Sequence, residues 1–437
     1  MNSLSLYILT FNCARNLVDV NRFANHFFDA RPLNDSSPPD LIVLSVQELA
    51  PIAYAFLGGS YLDPYFASLK DVVDQAVAQR WDINYVNLVT DNSGMTGLMV
   101  FVRSDVAERV SSVDTARIGF GFQEMGNKGA VGARLAYATE ETPDGSIDLT
   151  FVATHLAPME YAVERRNNDW RSVVERLVFE RPVATARGSV EPDDPETAGL
   201  LRGSTSNGGD DRRGIFFSNS YLFIAGDLNY RTSNVSPGKD DLARFPRLNA
   251  DPADPRHYSQ LLKDDQLTRE MRQSRSFHGL TEAPIGFPPT YKYTSAAQKA
   301  ASRGEDPSEW SWTSTRWPSW CDRVLYLDTP PGMGEDARVK PLQYDSLPLF
   351  PTSDHRAVAL SVAVPIVASP PVDATHVPAP FPIDPDWQRK RDTARQREIV
   401  VGCLAYLGLT WEGNALLMAS AVALLGAWFV LRSLWNA

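Results

Sequence analysis

Apolar residues in this chain fall in short runs, and several of the runs break off at a polar residue able to bind a metal or move a proton. Leu4 to Phe11 alternates in part and stops at Asn12, and Leu41-Ile42-Val43-Leu44 suits a buried strand and finishes at Gln47-Glu48. Gly97–Val102, Ala130–Tyr137, Ile147–Thr154, Tyr221–Ala225, Arg323–Leu327 and Ala357–Val364 read as further strands. Between Asp63 and Trp81 the period changes: Tyr65, Phe66, Leu69, Val72, Val73, Ala76 and Val77 recur at helical spacing. Asp63 is placed to cap that helix, with Pro64 at its first position. Residues 1–365 therefore read as one catalytic-sized unit mixing strands and helices.

Two stretches interrupt the pattern. Residues 188–214 are rich in Gly, Ser, Asp, Glu and Pro and predict a mobile surface loop. Seven prolines between Pro365 and Asp386 predict an extended, semi-stiff linker over 366–386. A basic juxtamembrane segment, 387–398, follows it. Residues 413–431 carry no charge, are bounded by Glu412 and Arg432, and have Trp411, Trp428 and Trp435 near their ends. That length and those aromatics predict a transmembrane helix acting as a tail anchor. The basic residues before it put the preceding domain in the cytosol by the positive-inside rule. Residues 399–411 are apolar too and are expected to lie along the membrane interface.

Charge narrows the function. The formal net charge is −11, although the stretch from Trp387 onward holds six basic residues against three acidic ones. An acidic body lacks the basic surface that general nucleic-acid binding needs, so no nucleic-acid partner is expected. Three cysteines show neither a disulfide framework nor paired zinc spacing, which favours a reducing compartment. The N-terminal residues show no secretory pattern.

The strand-end residues are the candidate chemistry: Asn12, Glu48, His155, Asp227 with Asn229, and Asp354 with His355. A carboxylate at the end of a buried strand reaches a cleft at small desolvation cost. Glu48, Asn12 and Asp354 offer the oxygen ligands that Mg2+ prefers. Such an ion would neutralise charge on a leaving oxygen, while Asp227 takes a proton from attacking water. His155 and His355 are donors to a phosphate, with Asp322 as the acidic partner that keeps one imidazole charged. Each residue alone has a plainer reading. Gly226-Asp227-Leu228-Asn229 also fits an Asx-stabilised turn, Glu48 a cap, His355 a satisfied core histidine, and Gly126-Asn127-Lys128-Gly129 a simple turn. Cys321 reads as a packed residue, since an arginine six positions on, as in cysteine phosphatases, is missing after every cysteine.

Taken in order, the blocks are more specific. Thr10-Phe11-Asn12, Gln47-Glu48, Gly126-Asn127-Lys128-Gly129, Thr154-His155-Leu156, Glu164-Arg165-Arg166-Asn167, Gly226-Asp227-Leu228-Asn229-Tyr230-Arg231, Pro289-Thr290-Tyr291-Lys292-Tyr293, Pro318-Ser319-Trp320-Cys321-Asp322-Arg323 and Ser353-Asp354-His355 together resemble the inositol polyphosphate 5-phosphatases. With the hydrophobic tail, the chain resembles the fungal, tail-anchored members of that family that act on phosphatidylinositol 4,5-bisphosphate. The resemblance implies an α+β fold, a four-layer αββα sandwich of two packed mixed β-sheets with outer helices, to which the C-terminal transmembrane helix is appended. It implies Glu48 as the main Mg2+ ligand with Asn12 near the metal, and Asp227 as the residue that orients and deprotonates water, with Asn229 beside it. It implies His155, and His355 paired with Asp322, as phosphate contacts. Tyr291, Lys292 and Arg316 are implied as contacts to the neighbouring 4-phosphate and Lys128 as a further contact to the headgroup.

Three positions depart from the family: Thr154 stands where Asn or Ser is usual, Ala357 where Pro is usual, and Ser314 where a lysine is common two residues before Arg316. The last leaves one cation fewer for the 4-phosphate. The expected partners are a phosphoinositide lipid and a membrane, with the endoplasmic reticulum favoured by the modest span; no protein partner is legible. Alternatives are a sphingomyelinase- or nuclease-type phosphodiesterase of the same superfamily, or a silent phosphoinositide-binding tether.

Overall fold

A computed structural model describes residues 3–138, 146–180, 213–216, 220–305, 311–367 and 379–436. The strands are β1 Ser3–Asn12, β2 Leu41–Gln47, β3 Tyr85–Ser93, β4 Thr96–Arg103, β5 Val110–Gly119, β6 Gly129–Ala138, β7 Ser146–His155, β8 Ser220–Asp227, β9 Leu280–Thr281, β10 Asp322–Leu327, β11 Lys340–Leu349 and β12 Arg356–Pro365. The α-helices are α1 Val20–His26, α2 Ile52–Leu57, α3 Asp63–Ala78, α4 Val163–Arg176, α5 Tyr258–Leu262, α6 Gln266–Arg272, α7 Ser295–Arg303, α8 Trp387–Leu409 and α9 Trp411–Trp435.

Strand periodicity sorts the side chains into layers. In β1, Leu4, Leu6 and Ile8 enter one core while Tyr7, Leu9 and Phe11 enter another. β2 divides in the same way, and β8 sends Tyr221, Phe223 and Ala225 to the shared core but Leu222 and Ile224 outward under α4 and α6. Both faces of these strands are buried, which is why β1 and β2 read as nearly unbroken apolar runs. Two six-stranded sheets result, ordered β11-β12-β1-β2-β4-β3 and β5-β6-β7-β8-β10-β9, packed face to face with helices outside. The pairs β1–β2 and β7–β8 are parallel and the other pairings antiparallel, so both sheets are mixed, as the resemblance implied.

This topology explains where the polar strand ends go. Parallel β1 and β2 finish together, with Asn12 opposite Gln47 in register, and β7 and β8 finish together, with His155 opposite Asp227. Antiparallel β10 begins where β8 ends, with Asp322 opposite Asp227, and β12 begins just after His355. One end of the sandwich therefore collects them. Gly226 allows the close approach of β7 to β8: a Cβ there would lie 1.9 Å from the Thr154 carbonyl oxygen.

The structure departs from expectation in several places. β3, β5, β9 and β11 were not predicted. All four are edge strands, where polar residues, the two-residue length of β9 and the prolines Pro341 and Pro348 of β11 are tolerated. Asp63 does not cap α3: Leu62 occupies the N-cap and no side chain caps the helix. The predicted loop 188–214 lies outside the described residues except for Arg213 and Gly214. Of the 366–386 linker, 379–386 is docked: Phe381 packs its ring against His278, and the Asp384 N–H donates to the Glu175 carbonyl at 2.8 Å.

The largest correction concerns 387–411. The expected basic segment and interfacial helix form one helix, α8, whose Trp387, Ala394, Glu398 and Gly402 are buried. Its cations have partners within the protein: Arg389 pairs with Asp386, Lys390 with Asp384, Arg391 with Glu180 and Arg395 with Glu398, while Arg397 donates to the Gln123 carbonyl. α9 then projects with almost every residue exposed, and it is long and apolar enough to cross a membrane.

Candidate active site

Asp227, the last residue of β8, is the hub of the cleft. It is 2 % exposed and its Oδ2 accepts the Asn12 carboxamide at 3.0 Å and lies 3.2 Å from His155 Nε2. Its Oδ1 accepts the Asn229 backbone N–H at 3.1 Å. Burial works against ionisation of this carboxyl. His155 first, then the charges of His355 and Lys128, more than offset it and hold Asp227 well below the usual carboxylate range. His155 is itself pushed below its ordinary value, by burial and then by Lys128, whose ammonium rests against the imidazole. Burial lowers Lys128 in turn.

Across the strand pair, His355 Nδ1 lies 2.9 Å from Asp322 Oδ2, which also accepts the Thr290 hydroxyl at 2.7 Å. Burial alone would discharge His355, but Asp322 outweighs it and raises the imidazole to about 9, so it is cationic at neutral pH. Asp227, Asp322 and His355 bring ligand atoms within 4.8 Å of one another, the one such acidic or histidine group among the described residues. A cationic imidazole bonded to Asp322 is a poor host for a metal ion, so that trio is better read as acid–base machinery.

Two residues of the site are held in the left-handed region, where only glycine is at ease: Glu48 at φ 44° and Asn229 at φ 56°. Asn229 is held by Arg231, whose guanidinium donates to both the Asn229 side-chain oxygen and, at 3.0 Å, its carbonyl, while the Asn229 amide donates to the Leu156 carbonyl at 3.1 Å. Glu48 immediately follows β2 and its carboxylate pairs with Arg15 at 3.1 Å. Asn12 Oδ1 accepts the Ala14 N–H at 3.0 Å.

The rim is built differently. Tyr291 packs against His355 with its ring tilted, 4.3 Å between ring centroids, and Arg231 lies over the Tyr291 ring at 4.6 Å. Lys292 is paired with Asp354, and Arg316 lies 3.9 Å from the buried Glu160 carboxylate. Ser314 is exposed.

The structure thus brings together Asn12, Lys128, His155, Asp227, Asn229, Asp322 and His355, with Tyr291 against them and Lys292 and Arg316 nearby. Asp354, expected beside Glu48 and Asn12, is instead taken up by Lys292. Sequence reasoning missed Arg15, Thr290, Arg231 and Glu160. Arg231 and Thr290 lie inside the blocks that carried the resemblance, so the signal was on the page; Arg15 and Glu160 announce themselves only through their partners.

Residues 9–361 match the Endonuclease/Exonuclease/phosphatase family 2, and the chain belongs to that family. Within it the similarity runs to inositol polyphosphate 5-phosphatases, as the motif blocks implied. The chain is 32% identical over 289 residues to the type II inositol polyphosphate 5-phosphatase 15 of Arabidopsis thaliana, covering 62% of this chain and 24% of that protein. It is 29% identical over 332 residues to the polyphosphatidylinositol phosphatase INP53 of Saccharomyces cerevisiae, 75% of this chain and 24% of the relative. The chain thus spans about a quarter of the length of these relatives. Among solved structures, the inositol polyphosphate 5-phosphatase domain of SPsynaptojanin, in complex with inositol (1,4)-bisphosphate and a calcium ion, shares the fold. It superposes with a TM-score of 0.57 at 22% identity, covering 91% of this chain and 90% of that one.

Proposed function

We propose that the chain is a phosphoinositide 5-phosphatase, a Mg2+-dependent phosphomonoesterase that removes the 5-phosphate of phosphatidylinositol 4,5-bisphosphate by direct attack of water. It works on a membrane, the endoplasmic reticulum by preference, to which α9 anchors it with the cleft in the cytosol. The observation that carries this reading is the placement of Asp227: a buried carboxylate with its oxygens aimed by Asn12, His155 and the Asn229 backbone. A carboxylate so placed accepts a hydrogen bond from a water molecule and is read as the residue that orients it and takes its proton. The cationic His355, aligned by Asp322, donates to a phosphoryl oxygen and stabilises the charge that builds there, and His155 is read as a further phosphate contact. No side chain at this centre is an activated nucleophile: Cys321 is fully buried and its thiol is pushed up by that burial.

Glu48 and Asn12 fit a Mg2+ ion. Both offer oxygen, the donor such ions select, and the partner Glu48 now has, Arg15, is 60% exposed, so their separation costs little. When bound, the ion would supply Lewis-acid stabilisation of the leaving oxygen. Asp354 fits better as the residue that holds Lys292. With Tyr291 and Arg316, Lys292 is read as the contact to the 4-phosphate, and Lys128 as a further basic contact to the headgroup. Phosphate release from a panel of inositol lipids and soluble inositol phosphates, with Mg2+ and with chelator, tests the proposal. Silence toward every 5-phosphorylated substrate in Mg2+ would sink it, and release undiminished by chelator would remove the metal.

A further inference from the structure

The apolar helix does not hang from the catalytic domain on a free tether. Trp387, Ala394, Glu398 and Gly402 recur at helical spacing and turn one face of α8 onto the domain. Glu398 makes the central contact. Its Oε1 accepts the buried backbone N–H of Gly126 at 2.7 Å, and its Oε2 accepts Arg395 Nη1 at 3.0 Å. A carboxylate that is 6 % exposed would be costly without such partners; here both oxygens are bonded. Arg395 donates onward to the carbonyls of Phe56 and Leu57, at 2.7 and 3.0 Å, which close the last turn of α2 and lack helical donors of their own. Close by, Gly402 lies on the same two residues, where a Cβ would come within 3.1 Å of Phe56 Cβ.

Each of these contacts ends on a segment that carries the site. Gly126 opens the Gly-Asn-Lys-Gly turn, and Lys128, two residues on, rests its ammonium on His155. The Gly126 carbonyl accepts the Met95 N–H at 2.9 Å, and the Met95 carbonyl accepts the N–H of Leu49 at 3.1 Å, the residue after Glu48. One line of hydrogen bonds therefore runs from Glu398 through Gly126 and Met95 to the residue beside Glu48, and α2, which Arg395 holds, begins four residues after Glu48. Gly126 has no side chain by which the turn could be fixed, so its backbone is what there is to hold, and a charged acceptor makes the stronger kind of hydrogen bond to it.

We propose that Glu398 is a positioning residue of the active site: from the helix that leads into the membrane span it holds the Gly126–Lys128 turn, and so Lys128 against His155. The inference rests on the phosphatase reading above. It makes α8 a working part of the catalytic domain and the anchor a rigid mount instead of a leash.

The test uses the full chain in detergent and a soluble inositol polyphosphate, so that membrane attachment plays no part. Glu398→Ala lowers kcat/KM roughly ten-fold, the scale on which small misplacements near a reacting centre act. Glu398→Gln, which keeps an oxygen for the Gly126 N–H, recovers most of that loss. Trp387→Ala loosens the same helix at its far end; it lowers Tm but leaves kcat/KM unchanged. Amide exchange at Asn127 and Lys128 accelerates in Glu398→Ala and not in Trp387→Ala. Parental kcat/KM and unchanged exchange in Glu398→Ala overturn the proposal, and so do equal losses in the alanine variants, which would make α8 a matter of stability alone. If the parent chain releases no phosphate, the phosphatase reading fails by itself, and the exchange experiment decides whether Glu398 holds the turn.

Discussion

The floor of the cleft and its rim are held in opposite ways. On the floor, Asp227, His155, Asp322 and His355 are at most 4 % exposed and bonded to one another or to Asn12, Asn229 and Thr290. On the rim, Glu48, Lys292 and Arg316 are each partly exposed and each holds one opposite charge: Arg15, Asp354 and Glu160. Groups that perform chemistry gain from being preorganised, because nothing need reorganise when charge develops. Groups that meet the substrate gain from partners they can exchange for it, and an exposed pair such as Glu48–Arg15 separates at little cost, whereas Arg316 faces a Glu160 carboxylate that is 0% exposed and is held more firmly.

That contrast predicts a ranking of effects. Asp227→Asn keeps the shape and removes the base; turnover falls by about 10²- to 10⁴-fold while thermal unfolding stays near the parent's. Near-normal turnover in that variant would take Asp227 out of the mechanism. On the proposed reading Glu48→Gln removes the charge of a metal ligand, so the Mg2+ concentration for half-maximal activity rises by more than the roughly 10- to 100-fold that losing a ligand's outer partner costs. A Mg2+ titration that superposes on the parent's would move the ion elsewhere. Lys292→Ala lowers kcat/KM by about 1.5–3 kcal/mol on the 4,5-bisphosphate lipid and much less on the 3,5-bisphosphate lipid. Equal losses on the two lipids would mean that Lys292 acts on the scissile phosphate or merely supports its loop.

The floor also has a pH signature. His355 is raised from 6.5 to about 9, so the stability it gains from Asp322 is fully present below pH 6.5 and is lost as pH climbs through about 9. In His355→Asn that part of the decline disappears; urea midpoints measured with chelator below pH 6.5 and above pH 9 compare the slopes. An unaltered slope would mean that another group titrates. The smallest effect belongs to the exposed rim. Ser314→Lys returns a cation near Arg316 and raises kcat/KM on the 4,5-bisphosphate lipid by about 0.2–1 kcal/mol, the worth of an exposed pair. No gain would mean that the rim's existing cations already saturate the 4-phosphate.

Much of this was legible beforehand, and unevenly. The eight strands predicted from apolar runs all occur, because a strand buried on both faces must be apolar at nearly every position. β3, β5, β9 and β11 escaped because edge strands need no such pattern. The residues of the floor were named as one group since each ends or borders a strand, and the fold brings them together; Asp354, expected as a metal ligand, is paired with Lys292. Its block of sequence, Ser-Asp-His, says nothing about which neighbouring loop supplies a cation.

α8 is where the sequence said least about packing. Five cations in 389–397 give a basic segment ahead of an apolar span, and composition cannot show that those cations are taken by Asp386, Asp384, Glu180, Glu398 and the Gln123 carbonyl. By itself the sequence determined the types of residue at the strand ends, the order of the strands and the uncharged span of α9, since periodicity and length are local properties of a chain. Tertiary structure alone decided that Asn12 meets Asp227 from 215 residues away, that Glu48 and Asn229 sit in left-handed backbone, and that Glu398 reaches Gly126. Those facts depend on which strands and helices become neighbours, and the energy that selects the neighbours is spread over the whole core, so no short stretch of sequence carries it.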